Sequence, residues 1–159
     1  MGMVTLITVG TLKEDYLKEA VAEYKKRLSQ YARVDEISLK EEKICDEDNP
    51  AQIARALSTE GERIIAAIPK GATAVALCVE GKQYSSEGLA ELVKSAEDAS
   101  GKLALIIGSS HGLAPEVKAR ADVRLSVSKM TFPHQLMRVI LYEALYRSFT
   151  IIAGKRYHK

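Results

Sequence analysis

The chain has 159 residues, with 23 Lys and Arg against 21 Asp and Glu, which gives a net charge of +2 at pH 7. A chain of this length fits one domain and buries roughly 70% of its unfolded surface on folding. The small net charge argues against a broad basic face of the kind that binds nucleic acid nonspecifically. No apolar stretch reaches the length of a membrane span, and the N-terminal residues carry no basic leader, so neither membrane insertion nor secretion is expected.

The two cysteines do not suggest a disulfide or a metal site. Cys45 stands in a polar stretch and Cys78 in an apolar run, far apart and without metal-type spacing. We therefore expect reduced thiols in a cytoplasmic protein, and no bound metal.

Hydrophobic patterning predicts strands and helices in alternation along the whole chain. Strands are expected over residues 4–9, 32–39, 73–79, 103–107 and 123–127. Helices are expected over residues 12–31, from residue 50 with an apolar stripe to residue 68 and an interruption near Gly61, and over residues 87–99, 113–121 and 133–148. Residues 32–39 alternate as an edge strand does, whereas residues 73–79 and 103–107 are apolar throughout and suit the centre of a sheet.

This order predicts a single-domain α/β protein with a mainly parallel sheet flanked by helices. The last predicted helix is apolar on several sides, so one of its faces must be covered by something other than the sheet. The apolar residues concerned are Leu136, Met137, Val139, Ile140, Leu141, Ala144 and Leu145. A second copy of the chain is the expected cover, which predicts a homodimer.

Two loops, residues 108–112 and 128–132, leave the carboxyl ends of two predicted strands, where open α/β sheets bind ligands. The first loop lacks the third glycine and the acidic residue of a dinucleotide fingerprint, so a plain strand-to-helix turn is an alternative. The second loop ends at a helix N-terminus, whose free N–H groups can bind a ligand. His134 lies in that first turn, where the helix dipole favours a neutral imidazole. His111 is expected to be exposed.

Charge is unevenly distributed. Residues 40–48 hold five acidic residues and two lysines, whereas residues 155–159 are basic. If RNA is the partner, the acidic loop should face away from it and the tail toward it. Tyrosine and histidine rings stack on bases and lysine pairs with phosphate, although a solvated, disordered end is the alternative for such a tail. Arg138 and Arg147 are expected to pair with Glu143 on their own helix.

Residues 125–134, the loop 108–112 and the terminal Tyr157-His158-Lys159 together resemble the RlmH family. Its members are SPOUT-superfamily methyltransferases that modify a pseudouridine of large-subunit ribosomal RNA at N3. The resemblance extends over essentially the whole chain. Two departures are visible, since Ser109 stands where many relatives carry a second glycine and Lys159 where arginine also occurs.

The resemblance implies one S-adenosylmethionine-dependent methyltransferase domain over residues 1–159, with a C-terminal trefoil knot. It also implies a homodimer that methylates 23S ribosomal RNA, on the assembled ribosome, in the cytoplasm. The implied cofactor contacts are Leu77, Gly108, Val127, Ser128, Lys129, Met130, Thr131 and Phe132. Gly108 lets a ligand approach the backbone because it has no side chain. Tyr157, His158 and Lys159 are implied RNA contacts, and His158 is either the catalytic base or one of those contacts.

An alternative fold and function are also compatible with the sequence. General connection rules disfavour threaded chains and predict an unknotted flavodoxin-like sheet. The alternative function is accordingly a non-catalytic, flavodoxin-like nucleotide-binding module that uses the same two loops.

Overall fold

Strands and helices alternate along the computed structural model, which describes residues 2–159. The strands are β1 (Gly2–Val9), β2 (Ala32–Leu39), β3 (Thr73–Gln83), β4 (Lys102–Ile107) and β5 (Val123–Ser126). The helices are α1 (Asp15–Leu28), α2 (Pro50–Ala67), α3 (Ser86–Ala99), α4 (Pro115–Arg120) and α5 (His134–Ile152). The predicted α/β class is confirmed. Within residues 2–159, no helix is both long and apolar enough to cross a bilayer.

The five strands form one parallel sheet in the order β2-β1-β4-β3-β5. β2 lies at an edge and β3 in the interior, as their patterning predicts. The flavodoxin-like expectation is wrong in its strand order, because that fold has the order 2-1-3-4-5. Here β4 lies between β1 and β3. Residues 103–107 are all buried, as expected for an inner strand that is covered by helices on both faces of the sheet.

Helices cover both faces of the sheet. Alternate residues of β1 point to opposite faces, so Val4 and Leu6 belong to one core and Ile7 and Val9 to the other. The first core is completed by α1, α3 and α5, and the second by α2 and α4. This arrangement places α5 against both α1 and α3.

Several helix boundaries differ from the predicted ones. α1 is shorter than residues 12–31, and Tyr16 in its first turn is 67% exposed. α2 continues through Gly61, where a Cβ atom would lie 3.2 Å from both Ala114 Cβ and Val117 Cγ2. The glycine therefore permits close packing of α4 and does not interrupt α2. α5 continues past the predicted end at residue 148 because its last turns pack Phe149 into the core.

A buried arginine attaches α5 to the sheet. Arg138 is 1% exposed, and its Nη2 donates hydrogen bonds to the backbone oxygens of Val9 at 3.2 Å and Gly10 at 2.8 Å. Its Nη1 lies 3.6 Å from Glu36 Oε1. The predicted pairing of Arg138 with Glu143 is wrong, because Arg138 points toward the sheet and Glu143 lies on another side of the helix. The predicted pair of Arg147 and Glu143 is confirmed at 2.6 Å.

Candidate functional site

A cleft with a volume of about 690 Å³ opens at the carboxyl ends of β3, β4 and β5. That size suits a drug-sized or nucleotide-sized ligand. Its walls come from the end of β3, the loop after β4, helix α4, the segment after β5 and the start of α5. The lining residues are Leu77, Cys78, Val79, Glu80, Ile107, Gly108, Ser109, Ser110, His111, Gly112, Leu113, Lys118, Leu125, Ser126, Val127, Ser128, Met130, Thr131, Phe132, Pro133, His134 and Met137.

The loop after β4 folds back on itself, and this requires Gly108. A Cβ atom at that position would lie 2.3 Å from the backbone oxygen of Gly112 and 2.9 Å from Leu113 Cδ2. Gly112 has a φ of +90°, in the left-handed region, and its N–H donates to the Ser109 oxygen at 2.9 Å. The space beside Gly108 is thus occupied by the protein's own backbone. The tight turn by itself therefore requires a glycine at this position, and Gly108 also lines the cleft.

A buried carboxyl group lies behind this loop. Glu60, in α2, is 3% exposed, and its Oε2 accepts a hydrogen bond from the Glu42 N–H at 2.9 Å. Burial raises the pKa of Glu60 above its ordinary value, and hydrogen bonds from Glu42 and Ser109 oppose that rise. Ser109, a departure from the resembled family, is itself 7% exposed. It therefore connects the cleft loop to α2.

The end of β3 leaves its hydrogen-bonding ladder to form another wall. β3 pairs with β5 at Leu77 and again at Lys82, and the register shifts between these residues. A Cβ at Gly81 would lie 2.8 Å from backbone atoms of Arg124, so the glycine lets β3 return to β5. The predicted end of this strand at residue 79 is wrong, because β3 continues through the irregular part to Gln83. Leu77, an implied cofactor contact, lines the cleft.

The segment after β5 is held by short-range hydrogen bonds. Ser126 Oγ donates to the Ser128 oxygen at 3.0 Å, and the Met130 N–H donates to Ser128 Oγ at 3.0 Å. Val127 and Met130 are exposed at 38% and 68%. Of the implied cofactor contacts in this segment, only Lys129 does not line the cleft, because its side chain points to solvent.

Two histidines line the cleft. His134 begins α5, and burial lowers its pKa, with the nearby Arg138 and Lys13 charges adding to the effect and Glu41 opposing it. Desolvation, more than the helix dipole on which the prediction rested, is thus the main reason that the pKa of His134 is lowered and the neutral imidazole is favoured. His111 is half-buried, in contrast to its predicted exposure, and its Nε2 lies 3.9 Å from Glu47 Oε1.

The acidic loop lies next to the cleft. A smaller cavity of about 250 Å³ separates residues 41–47 from Ser110 and His111. Glu42 is held at this edge because its N–H donates a hydrogen bond to Glu60 of α2, so the acidic loop borders the cleft. The position of this loop relative to RNA stays a prediction. Among residues 2–159, no group of three or more His, Cys, Asp or Glu residues is placed to hold a metal.

The tail folds onto α5 and α3, so the disordered-end alternative does not describe it. His158 Nδ1 lies 3.2 Å from Arg147 Nη1, and its Nε2 lies 2.8 Å from Glu87 Oε1. Tyr157 donates a hydrogen bond to Glu143 Oε1 at 3.1 Å, and its ring packs edge-on against Tyr146. Neither residue lines the cleft, nor does the exposed Lys159. Within one chain, the tail and the cleft are therefore separate.

Comparison with known proteins identifies the family. A family model described as a predicted SPOUT methyltransferase matches residues 3–158. This chain belongs to the SPOUT methyltransferase family. It is 45% identical to the ribosomal RNA large subunit methyltransferase H of Caldicellulosiruptor saccharolyticus, over 99% of this chain and 100% of that protein. It is 48% identical to the protein of the same name from Exiguobacterium sibiricum, over 98% and 99%. The resemblance seen in the sequence is thereby confirmed.

A solved structure shares the SPOUT chain's fold at much lower identity. A probable methylase family protein from Haemophilus influenzae Rd KW20 superimposes with a TM-score of 0.56 and 16% identity, over 98% of this chain and 70% of that one. In this SPOUT methyltransferase, the cleft residues that sequence patterns missed include Glu80, Lys118 and Met137, and the buried Glu60 behind the cleft loop was missed as well. A detectable signal existed for Glu80, because it directly follows the apolar run of β3.

Proposed function

We propose that this SPOUT methyltransferase transfers a methyl group from S-adenosylmethionine to N3 of a pseudouridine in 23S ribosomal RNA. The proposed substrate is the assembled ribosome, and the proposed location is the cytoplasm. The observation that carries the proposal is the cleft at the carboxyl ends of β3, β4 and β5, in a chain that matches the family over residues 3–158. The ribosomal substrate is supported by the names of the relatives, and the cofactor and N3 specificity by the resemblance to the RlmH family.

The lining of the cleft fits an S-adenosylmethionine molecule. Leu77, Leu125 and Phe132 offer apolar contact to a nucleoside, while the loops offer backbone N–H and C=O groups. The proposed cofactor contacts are Leu77, Gly108, Val127, Ser128, Lys129, Met130, Thr131 and Phe132. Because the Lys129 side chain points to solvent, its contact would be through the main chain. The sulfonium of the cofactor supplies an activated methyl group, so the protein's task is to bind, orient and remove a proton.

Methylation of a ring nitrogen requires loss of its proton. His158, proposed as the base or as an RNA contact, has both ring nitrogens beside Arg147 and Glu87, away from the cleft of its own chain. We therefore propose that the tail of one protomer completes the cleft of the other, with Tyr157 and Lys159 binding RNA. His134 is the second candidate base, because it lines the cleft and burial keeps it neutral near pH 7.

A homodimer would bury the outer side of α5. Leu141 is 2% exposed in its own core, whereas Leu136 is 38% exposed and Ile140 is half-buried. Ile140→Asp should therefore give a monomer without methyltransferase activity, because a buried charge disfavours association. Sedimentation velocity at micromolar concentration measures this. A parent protein that sediments as a monomer would refute the dimer.

We also propose the trefoil knot that the family implies. β5 lies at the sheet edge beside β3, whereas α5 packs between α1 and α3, so the connecting segment crosses the carboxyl ends of the inner strands. Pulling the chain from both termini offers a test. A knotted chain should fall short of the roughly 3.3–3.6 Å per residue of a fully extended one, since a tightened knot retains residues. Full extension would exclude the knot.

The first experiment is titration calorimetry with S-adenosylmethionine, followed by transfer of radiolabelled methyl groups to ribosomes that lack the modification. Binding and ribosome-dependent transfer are expected. A nucleotide-binding module without catalysis would bind a nucleotide or a flavin and transfer nothing. The observed strand order already removes the flavodoxin-like fold on which that alternative rested.

The tail is tested by deleting Tyr157, His158 and Lys159. Cofactor binding should persist, because none of these residues lines the cleft, while methylation of ribosomes should collapse. His158→Ala separates its two possible roles. If His158 is the base, the loss should shrink as pH rises and the substrate nitrogen deprotonates unaided, whereas an RNA contact predicts weaker ribosome binding at every pH. If the deletion variant methylates ribosomes at the parental rate, the catalytic base must instead be His134 or His111.

A further inference from the structure

Charge is concentrated at one place in the cleft. Of the residues that line it, Glu80 and Lys118 are the only Asp, Glu, Lys or Arg side chains. The other lining residues are apolar, small and polar, or histidine. Glu80 lies on the irregular part of β3, and Lys118 lies on α4, 38 residues further along the chain. The fold therefore brings one anion and one cation together in an otherwise uncharged wall.

The two groups form an ion pair that a ligand can open. Lys118 donates a hydrogen bond to the Glu80 carboxylate, which lowers the pKa of Glu80 below its ordinary value. Their side chains remain 30% and 58% exposed, and solvent-exposed pairs contribute little to stability. Arg124 Nη1 approaches the Lys118 backbone oxygen at 3.5 Å, close to the same end of the cleft. Replacing the ion pair between Glu80 and Lys118 by contacts to a ligand would therefore cost little free energy.

The proposed methyl donor carries a matching pair of charges. Its amino-acid end has an ammonium and a carboxylate on one carbon atom, and both need partners when they leave water. A carboxylate that accepts from the ammonium and an ammonium that donates to the carboxylate would form two charge-assisted hydrogen bonds. The rest of the cleft offers no charged side chain for this purpose.

We propose that Glu80 and Lys118 bind the amino-acid end of the methyl donor, with Glu80 accepting from its ammonium and Lys118 donating to its carboxylate. This inference rests on the proposed use of S-adenosylmethionine. It also fixes the direction of the ligand. The amino-acid end lies between β3 and α4, and the nucleoside occupies the apolar region between Leu77 and Phe132.

The test compares two ligands that differ in the amino-acid end. S-adenosylhomocysteine retains the ammonium and the carboxylate, whereas 5′-methylthioadenosine lacks both. Calorimetry on the full chain should show that Glu80→Gln and Lys118→Met each weaken S-adenosylhomocysteine binding by about tenfold, since charge-assisted hydrogen bonds are lost in a partly exposed site. Binding of 5′-methylthioadenosine should be unchanged. Lys94→Gln is the matched control, because Lys94 pairs with Asp98 on the exposed side of α3, at 3.3 Å and outside the cleft.

Other outcomes overturn the inference in distinguishable ways. Equal losses for both ligands would mean that Glu80 and Lys118 only maintain the shape of the cleft. Parental affinity in both variants would mean that the amino-acid end lies elsewhere. If the parent binds neither ligand, the proposed cofactor is wrong and this inference falls with it. Circular dichroism of each variant excludes unfolding as the cause of a lost signal.

Discussion

At the carboxyl edge of the sheet, the ends of β1 and β2 are closed by buried side chains, whereas the ends of β3, β4 and β5 open into the cleft. At the closed end, Arg138 donates hydrogen bonds to the carbonyl oxygens of Val9 and Gly10. Glu36 lies beside it and accepts hydrogen bonds from Tyr142 at 2.8 Å and Lys25 at 2.8 Å. At the open end, no comparable side chain fills the space. Side chains of α5 and α1 thus cover the ends of β1 and β2, whereas the ends of β3, β4 and β5 form an open cleft.

The two regions also differ in how they hold charge. Burial tends to raise the pKa of Glu36, but the hydrogen bonds from Lys25 and Tyr142 reverse this, so the pKa lies below its ordinary value. Burial raises the pKa of the Tyr142 hydroxyl, which keeps it a hydrogen-bond donor. Such a network is rigid only while every member is present. In the cleft, Glu80 and Lys118 form a single exposed pair, which can rearrange without disturbing the core.

The closed end should be the most sensitive to mutation. Arg138→Met leaves the Val9 and Gly10 oxygens without their donor and removes one of the two cations beside Glu36, so we expect a loss of about 3–5 kcal/mol in the free energy of unfolding. Urea denaturation measures the loss. Arg33→Met is the control, because Arg33 pairs with Asp35 on the surface at 3.1 Å and should cost less than about 1 kcal/mol. Equal effects of the two substitutions would show that the buried Arg138 matters no more to stability than a surface arginine.

An intermediate effect is expected in the loop after β4, which forms one wall of the open cleft. Gly108→Ala forces a Cβ atom against the Gly112 backbone, so we expect a loss of about 1–3 kcal/mol and weaker binding of S-adenosylmethionine. The matched variant is Gly112→Ala, where no atom lies within 4 Å but φ is +90°. That change should cost about 1–2 kcal/mol through backbone strain alone. If Gly108→Ala is as stable as the parent and binds equally well, the loop does not require its tight turn.

The smallest effect concerns Glu60 and depends on pH. Because the pKa of Glu60 is raised in the folded state, its protonated form favours folding. That contribution is fully present below the ordinary carboxyl pKa and is lost as pH rises through the raised value. Glu60→Gln imitates the protonated form and can still accept from the Glu42 N–H. The variant should therefore gain stability relative to the parent as pH rises from 4 to 8, in paired denaturation curves. A difference that stays constant with pH would show that Glu60 is not a buried titrating group.

Local patterns predicted what local forces decide. The order of strands and helices, the edge position of β2 and the pair of Arg147 and Glu143 follow from periodicity and from spacing on one helix. Contacts between residues that are far apart in the sequence could not be predicted from these patterns. Arg138 finds Glu36 rather than a neighbour on α5, and Lys118 reaches Glu80 only because β3 leaves its ladder beside α4. An apolar run such as β4 indicates burial on both faces without indicating which strands lie beside it.

The position of β4 has a consequence for how this protein is made. β1 is synthesised first, yet one of its two neighbours is β4, and α5 is the last element before the tail. Until β4 has emerged, one edge of β1 has no partner, and unpaired strand edges promote aggregation of nascent chains. The arginine that caps β1 arrives later still. The contacts of β1 with β4 and with Arg138 of α5 therefore form only after those later elements have been synthesised.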